Sequence, residues 1–113
     1  MHEVALMTEA VRLAAATAQT AGAVRISVLR LRVGRLCGAV PEALEFAWDV
    51  VRRGTLAETA RLEIEVVPAT MWCAACRTEF ASADFFQECP RCHQAGGELR
   101  HGRELEIASV ELN

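Results

Sequence analysis

Two cysteine pairs constrain this chain more than any other feature: Cys73-Ala74-Ala75-Cys76 and Cys89-Pro90-Arg91-Cys92, with twelve residues between them. A two-residue gap lets both sulfurs of a pair reach one metal, and a linker of this length brings the second pair round to complete a tetrahedron. The segment has too little apolar sequence to fold on its own core, so metal binding would supply its folding free energy. Structural zinc suits this set. Iron is the close alternative, because C-x-x-C with C-P-x-C also serves rubredoxin-type electron carriers. The remaining reading, buried or redox-active thiols, fits a lone C-x-x-C better than two at this spacing.

The rest of the chain reads as a small α/β domain interrupted by that segment. Glu3 to about Ala21 has helical periodicity through Val4, Met7, Val11, Ala14 and Ala18, widened by Leu6, Ala10 and Leu13. Val24 to Val33 is strand-like, with a change of phase at Val28–Leu29 that calls for a bulge or burial of both faces. Pro41 suits the first turn of a second helix with Leu44, Ala47, Trp48 and Val51 inward, ending near Gly54. Arg61 to Val67 alternates with Leu62, Ile64 and Val66 on one face. Arg103 to Leu112 closes the chain as a strand with Leu105 and Ile107 facing in. The expected fold class is α+β: a three-stranded sheet with two helices, plus an inserted zinc-ribbon-like domain. Residues 1–68 and 103–113 form the first domain and 69–102 the second.

Composition narrows the function. Twelve basic residues, all of them Arg, stand against fifteen acidic ones, a formal charge of −3. Without Lys there is no P-loop nucleotide site and no Schiff-base lysine. Between Thr70 and His101, Arg77, Arg91 and Arg100 face Glu79, Asp84, Glu88 and Glu98, which is no footprint for nucleic acid. Phe80, Phe85 and Phe86 are expected to form a small core there rather than to stack bases. No stretch is long and apolar enough for a bilayer, and the start lacks a signal-peptide pattern, so a cytoplasmic protein is expected. Cys37 is expected as a small buried hydrophobe, and His93 and His101 as surface residues. No G-x-S-x-G or convincing nucleophile–base pair points to an enzyme.

The opening Met1-His2-Glu3 has a chemistry of its own. The α-amine, the His2 backbone nitrogen and the His2 imidazole Nδ1 can close a five-membered and then a six-membered chelate ring. Those nitrogens take three corners of a square plane, a geometry that suits Ni(II) or Cu(II), and Glu3 can add a fourth donor through its amide or carboxylate. The plain alternative is the start of a helix, where an acidic residue is favoured anyway.

Taken together, these features resemble the hydrogenase-maturation nickel-incorporation family, HypA/HybF. The resemblance runs over nearly the whole chain: Met1-His2-Glu3, the long first helix, Val33-Gly34 at the end of strand one, Cys89-Pro90-Arg91-Cys92, and the closing Gly102-Arg103-Glu104-Leu105-Glu106-Ile107-Ala108-Ser109-Val110-Glu111. His93 departs mildly from the small residue often found after the last cysteine. The resemblance implies a metallochaperone that carries Ni(II) to the precursor of a nickel–iron hydrogenase large subunit, with a partner maturation GTPase. It carries His2 over as a nickel ligand beside Glu3 and Met1, and Cys73, Cys76, Cys89 and Cys92 as Zn(II) ligands. A homodimer formed by exchange of the last strand is compatible with a strand that follows such an insert. The alternatives from the residues alone are a zinc-ribbon interaction module and a rubredoxin-like iron carrier.

Overall fold

The computed structural model describes residues 2–113. The element order is α1 (Glu3–Thr20), β1 (Ile26–Gly34), α2 (Pro41–Val51), β2 (Arg61–Val67), β3 (Thr70–Cys73), β4 (Thr78–Ala81), β5 (Glu98–His101) and β6 (Leu105–Leu112). The strands form two three-stranded sheets, ordered β2-β1-β6 and β4-β3-β5. The chain divides into two compact units. One takes in the residues up to Arg32, Ala39–Glu65 and Glu106–Asn113; the other takes in Val33–Gly38 and Val66–Leu105.

In the first unit, α1 buries Met7, Val11, Ala14 and Ala18, and α2 buries Leu44, Ala47 and Trp48. The apolar stripe of α1 is wider than the face that is covered: Val4 and Leu13 lie exposed. In β1 both Val28 and Leu29 are buried, followed by Leu31 and Val33 in alternation, so the phase change in the sequence is a real change in burial. Val24 falls outside the strand and is exposed. β6 runs antiparallel to β1: Val24 N–H reaches the Asn113 carbonyl at one end (2.9 Å), and Gly34 N–H reaches that of Glu104 at the other (2.7 Å). Between these ends Arg30 of β1 pairs with Glu63 of β2 at 2.7 Å and with Glu111 of β6 at 2.5 Å. Arg32 pairs with Glu65 at 3.2 Å and Glu106 at 3.4 Å. Opposite charges on neighbouring strands thus line the polar face of this sheet.

The expected inward face of β2 holds only in part. Leu62 and Ile64 are half-buried, but Val66 is exposed and Val67 is buried instead. Val67 also accepts the Arg35 N–H through its carbonyl, so the strand turns its last residue inward just before Pro68. In β6, Leu105 and Ile107 are half-buried rather than enclosed.

The second unit contains a sheet that periodicity did not reveal. β3 pairs antiparallel with β4, Met71 opposite Phe80, and with β5, Met71 opposite Leu99. Met71, Phe80, Cys73 and Cys89 form the buried cluster, with Leu99 and Cys76 packed against it. On the other face Trp72 stands beside Glu79 and Glu98, and the Arg100 guanidinium lies 5.0 Å from its ring centroid. The expected aromatic mini-core is therefore one phenylalanine, not three. Phe80 is buried, whereas Phe85 is 38% and Phe86 79% exposed.

Candidate metal centre

Each cysteine pair sits on a tight turn. Cys73 ends β3, and Arg77 N–H bonds back to its carbonyl at 2.7 Å; His93 N–H makes the same bond to the Cys89 carbonyl at 2.8 Å. The second turn is pinned by Cys89 N–H to the Gln94 carbonyl (2.9 Å) and by a bridge between Glu88 and Ala95. The two turns aim their sulfurs at one point. All four Sγ atoms lie within 4.8 Å of one another, with Cys73–Cys92 at 3.5 Å and Cys76–Cys89 at 4.0 Å.

That spacing can be tested against a metal. Four thiolates at about 2.3 Å from a tetrahedral Zn(II) have sulfurs about 3.8 Å apart, and the separations here straddle this value. The charge state agrees. The Cys76 thiol is pushed up to about 12, first by its hydrogen bond with Cys92 and then by burial. The Cys89 thiol is drawn down to about 6, first by the Cys92 backbone N–H, with Arg91 N–H adding to it. Cys92 is raised on balance: the Gln94 amide favours its thiolate, but Cys73 and burial outweigh it. Four sulfurs so close cannot all ionise unaided, and a divalent cation is the group that permits it. The donor set fits Zn(II), and Arg91 N–H, 3.4 Å from Cys89 Sγ, is a further donor to the shell.

The other expected residues lie apart from this cluster. His2 precedes α1 and is exposed; its side chain makes no capping hydrogen bond, while its carbonyl accepts Leu6 N–H at 3.0 Å. Glu3 is the half-buried first residue of the helix. Met1, whose amine belongs to the expected nickel chelate, lies outside the described residues. Cys37 is half-buried in the turn after β1, not fully enclosed as expected, and is not part of the four-thiolate group. His93 and His101 are exposed; they stand 3.8 Å from Glu88 and 3.6 Å from Glu104. The turn residues Arg77 and His93 were not anticipated as part of the site. Their signal is position alone, directly after the second cysteine of each pair.

The fold and the cluster define a small α/β protein carrying a four-thiolate metal module. Comparison with known proteins makes this specific. Residues 1–112 match the family described as hydrogenase/urease nickel incorporation, metallochaperone, HypA, and the chain belongs to that family. It is 47% identical over 112 residues to the hydrogenase maturation factor HypA of a Picosynechococcus species, covering 99% of both chains. It is 41% identical over 112 residues to that of a Roseiflexus species, covering 98% of this chain and 91% of the relative. Among solved structures, the solution structure of a HypA protein matches with a TM-score of 0.75 at 21% identity, covering 100% of this chain and 97% of the other. The Ni metallochaperone HypA from Helicobacter pylori matches at 0.68, also at 21% identity, covering 99% and 97%. The last two show a shared fold. No helix among the described residues is long and apolar enough to cross a membrane.

Proposed function

We propose that this protein is a nickel carrier rather than an enzyme. It takes Ni(II) through the Met1 amine, His2 and Glu3, and passes it to a nickel–iron hydrogenase large-subunit precursor in the cytoplasm, with a maturation GTPase as partner. Cys73, Cys76, Cys89 and Cys92 hold a structural Zn(II), and residues 69–102 depend on it for their fold. The observation that carries this reading is membership of the nickel-incorporation family over residues 1–112.

The helix start supports it physically. The first four N–H groups of an α-helix have no intrahelical acceptor, so amides at the head of α1 can serve as metal donors without breaking the helix. The His2 imidazole is uncommitted to capping. A terminus that offers an incomplete planar set binds nickel yet surrenders it when a partner supplies further donors.

Nickel titration of untagged protein tests the reading. His2→Ala abolishes tight nickel binding and leaves zinc content and the far-ultraviolet spectrum unchanged. One extra residue before Met1 does the same, because it turns the chelating amine into a peptide nitrogen. Normal nickel binding in both variants would overturn the N-terminal site. A visible thiolate-to-iron absorption in the purified protein would favour the rubredoxin-like alternative.

A further inference from the structure

The second unit carries an open cleft of about 680 Å³ that has no part in either metal site. Its floor is aliphatic: Leu36, Pro68, Ala69, Ala81 and Ala83 line it, with Arg35 at its edge. Arg35 is exposed and has no carboxylate partner among the described residues. A second cation lies close by. Leu36 N–H bonds to the Gly102 carbonyl at 2.7 Å, and Arg103 follows directly after Gly102 in the chain. Arg103 likewise has no ion pair; its guanidinium lies 5.1 Å from the centroid of the Phe85 ring.

The acidic groups of this region are hydrogen-bonded within the chain rather than paired with these two guanidinium groups. Asp84 accepts Phe86 N–H at 2.8 Å, Glu104 accepts Gly102 N–H at 2.7 Å, and Glu79 accepts the Thr70 hydroxyl at 3.2 Å. Most charged Arg side chains of the first unit, by contrast, are paired with carboxylates.

The wall of the cleft is tied together by side-chain hydrogen bonds. Ala83 N–H donates to Gln87 Oε1 at 2.8 Å, Gln87 Nε2 donates to the Ala81 carbonyl at 2.9 Å, and the Ser82 hydroxyl donates to the Asp84 carbonyl. A loop braced in this way holds Phe86 in water, 79% exposed. An exposed aromatic is the type of side chain that anchors protein interfaces when it is covered.

We propose that this cleft docks a short extended acidic segment of a partner protein, its aliphatic side chains on the Leu36–Pro68–Ala83 floor and its carboxylates at Arg35 and Arg103. Charge complementarity selects the occupant: two unpaired guanidinium groups favour carboxylates, and Arg binds them in bidentate fashion. The docking function is separate from nickel binding and stands whether or not the N-terminus carries the metal.

Fluorescence anisotropy on the zinc-loaded full chain tests it. The probes are a labelled peptide with a central Glu-Leu-Glu-Leu sequence and its Gln-Leu and Lys-Leu counterparts. The acidic peptide binds at least about tenfold more tightly than the other two, and its binding weakens as salt rises. Arg35→Glu weakens it by about tenfold or more. Arg53→Glu, which changes net charge equally in the first unit, leaves it unaltered. Amide shifts in the nuclear magnetic resonance spectrum fall on Leu36, Ala69 and Ala83. Arg35→Ala serves as the second variant should charge reversal disturb the fold. Absence of binding by the acidic peptide, equal binding of all three, or equal losses in the Arg35 and Arg53 variants would each overturn the proposal.

Discussion

Arg77 and His93 occupy the same place in two copies of one turn. Each follows the second cysteine of its pair, each returns its N–H to the carbonyl of the first, and each has a positive φ, 54° and 63°. They are the only non-glycine residues with positive φ among those described. Left-handed backbone at a side-chain-bearing residue costs roughly 1 kcal/mol. The turns retain it because it directs both sulfurs of a pair to one point.

The first prediction follows from that relationship. Glycine adopts this conformation freely but loses about 0.5–1 kcal/mol more entropy on ordering, so Arg77→Gly or His93→Gly is expected to leave the stability of the zinc-loaded protein unchanged or raise it by up to about 0.5 kcal/mol. Chelator-induced unfolding, followed by circular dichroism, checks it. A clear loss of stability in both variants would mean that the side chains, not the backbone, hold the turns.

Losing one thiolate should release the metal. Cys76→Ser is expected to lower zinc from one per chain to trace levels and to disorder β3–β5, because Met71 and Phe80 alone make too small a core. The α1–α2 packing in the first unit uses none of these residues, so helical circular dichroism persists. Metal analysis with hydrogen exchange distinguishes the outcomes, and full zinc retention would count against the four-thiolate site.

Gly34 has no room for a side chain. A Cβ there would stand 2.2 Å from the carbonyl carbon and oxygen of Gly102, both backbone atoms, so the chain itself would have to move. Gly34→Ala is expected to cost more than about 2 kcal/mol in denaturant unfolding. Gly22→Ala is the contrast: φ is +72° but nothing lies within 4 Å, and the cost should stay near 1 kcal/mol. Gly34 itself has no positive φ, so equal effects would show that the backbone gives way around the new Cβ at little cost.

Glu63 carries a pH dependence. Arg61 first, and then Arg30, hold its carboxyl below the usual carboxylate range. A depressed folded value means that the stabilisation is fully present above the unfolded pKa, about 4.3, and is lost as pH falls through the lower folded value. Glu63→Gln should therefore lower Tm modestly at neutral pH and match the unsubstituted protein at strongly acid pH. A constant difference across that window would remove the ion pairs as its cause. Because the carboxylate is only half-buried, high salt should shrink the effect.

Much of this was legible without coordinates because it rests on short-range rules. The C-x-x-C spacing predicted a four-sulfur cluster, since two residues between ligands set their separation locally. The periodicity of residues 3–21 and the Pro41 start predicted α1 and α2, and the burial of Met7, Val11, Ala14, Leu44 and Trp48 bears this out. Strands β3, β4 and β5 were not legible: each spans four residues, too few for an alternating pattern to stand out from coil.

What the sequence by itself determined, then, is the four-cysteine cluster, the helices and the longer strands, because these follow from repeats and spacings along one stretch of chain. Only the tertiary structure decided which apolar residues are covered. It chose Phe80 over Phe85 and Phe86, because Phe80 alone pairs across β3 with Met71. It chose Val67 over Val66, whose neighbourhood turns at Pro68, and left Val4 and Leu13 outside the buried face of α1. Burial depends on what arrives from elsewhere in the chain, and periodicity records only which side of an element could be covered.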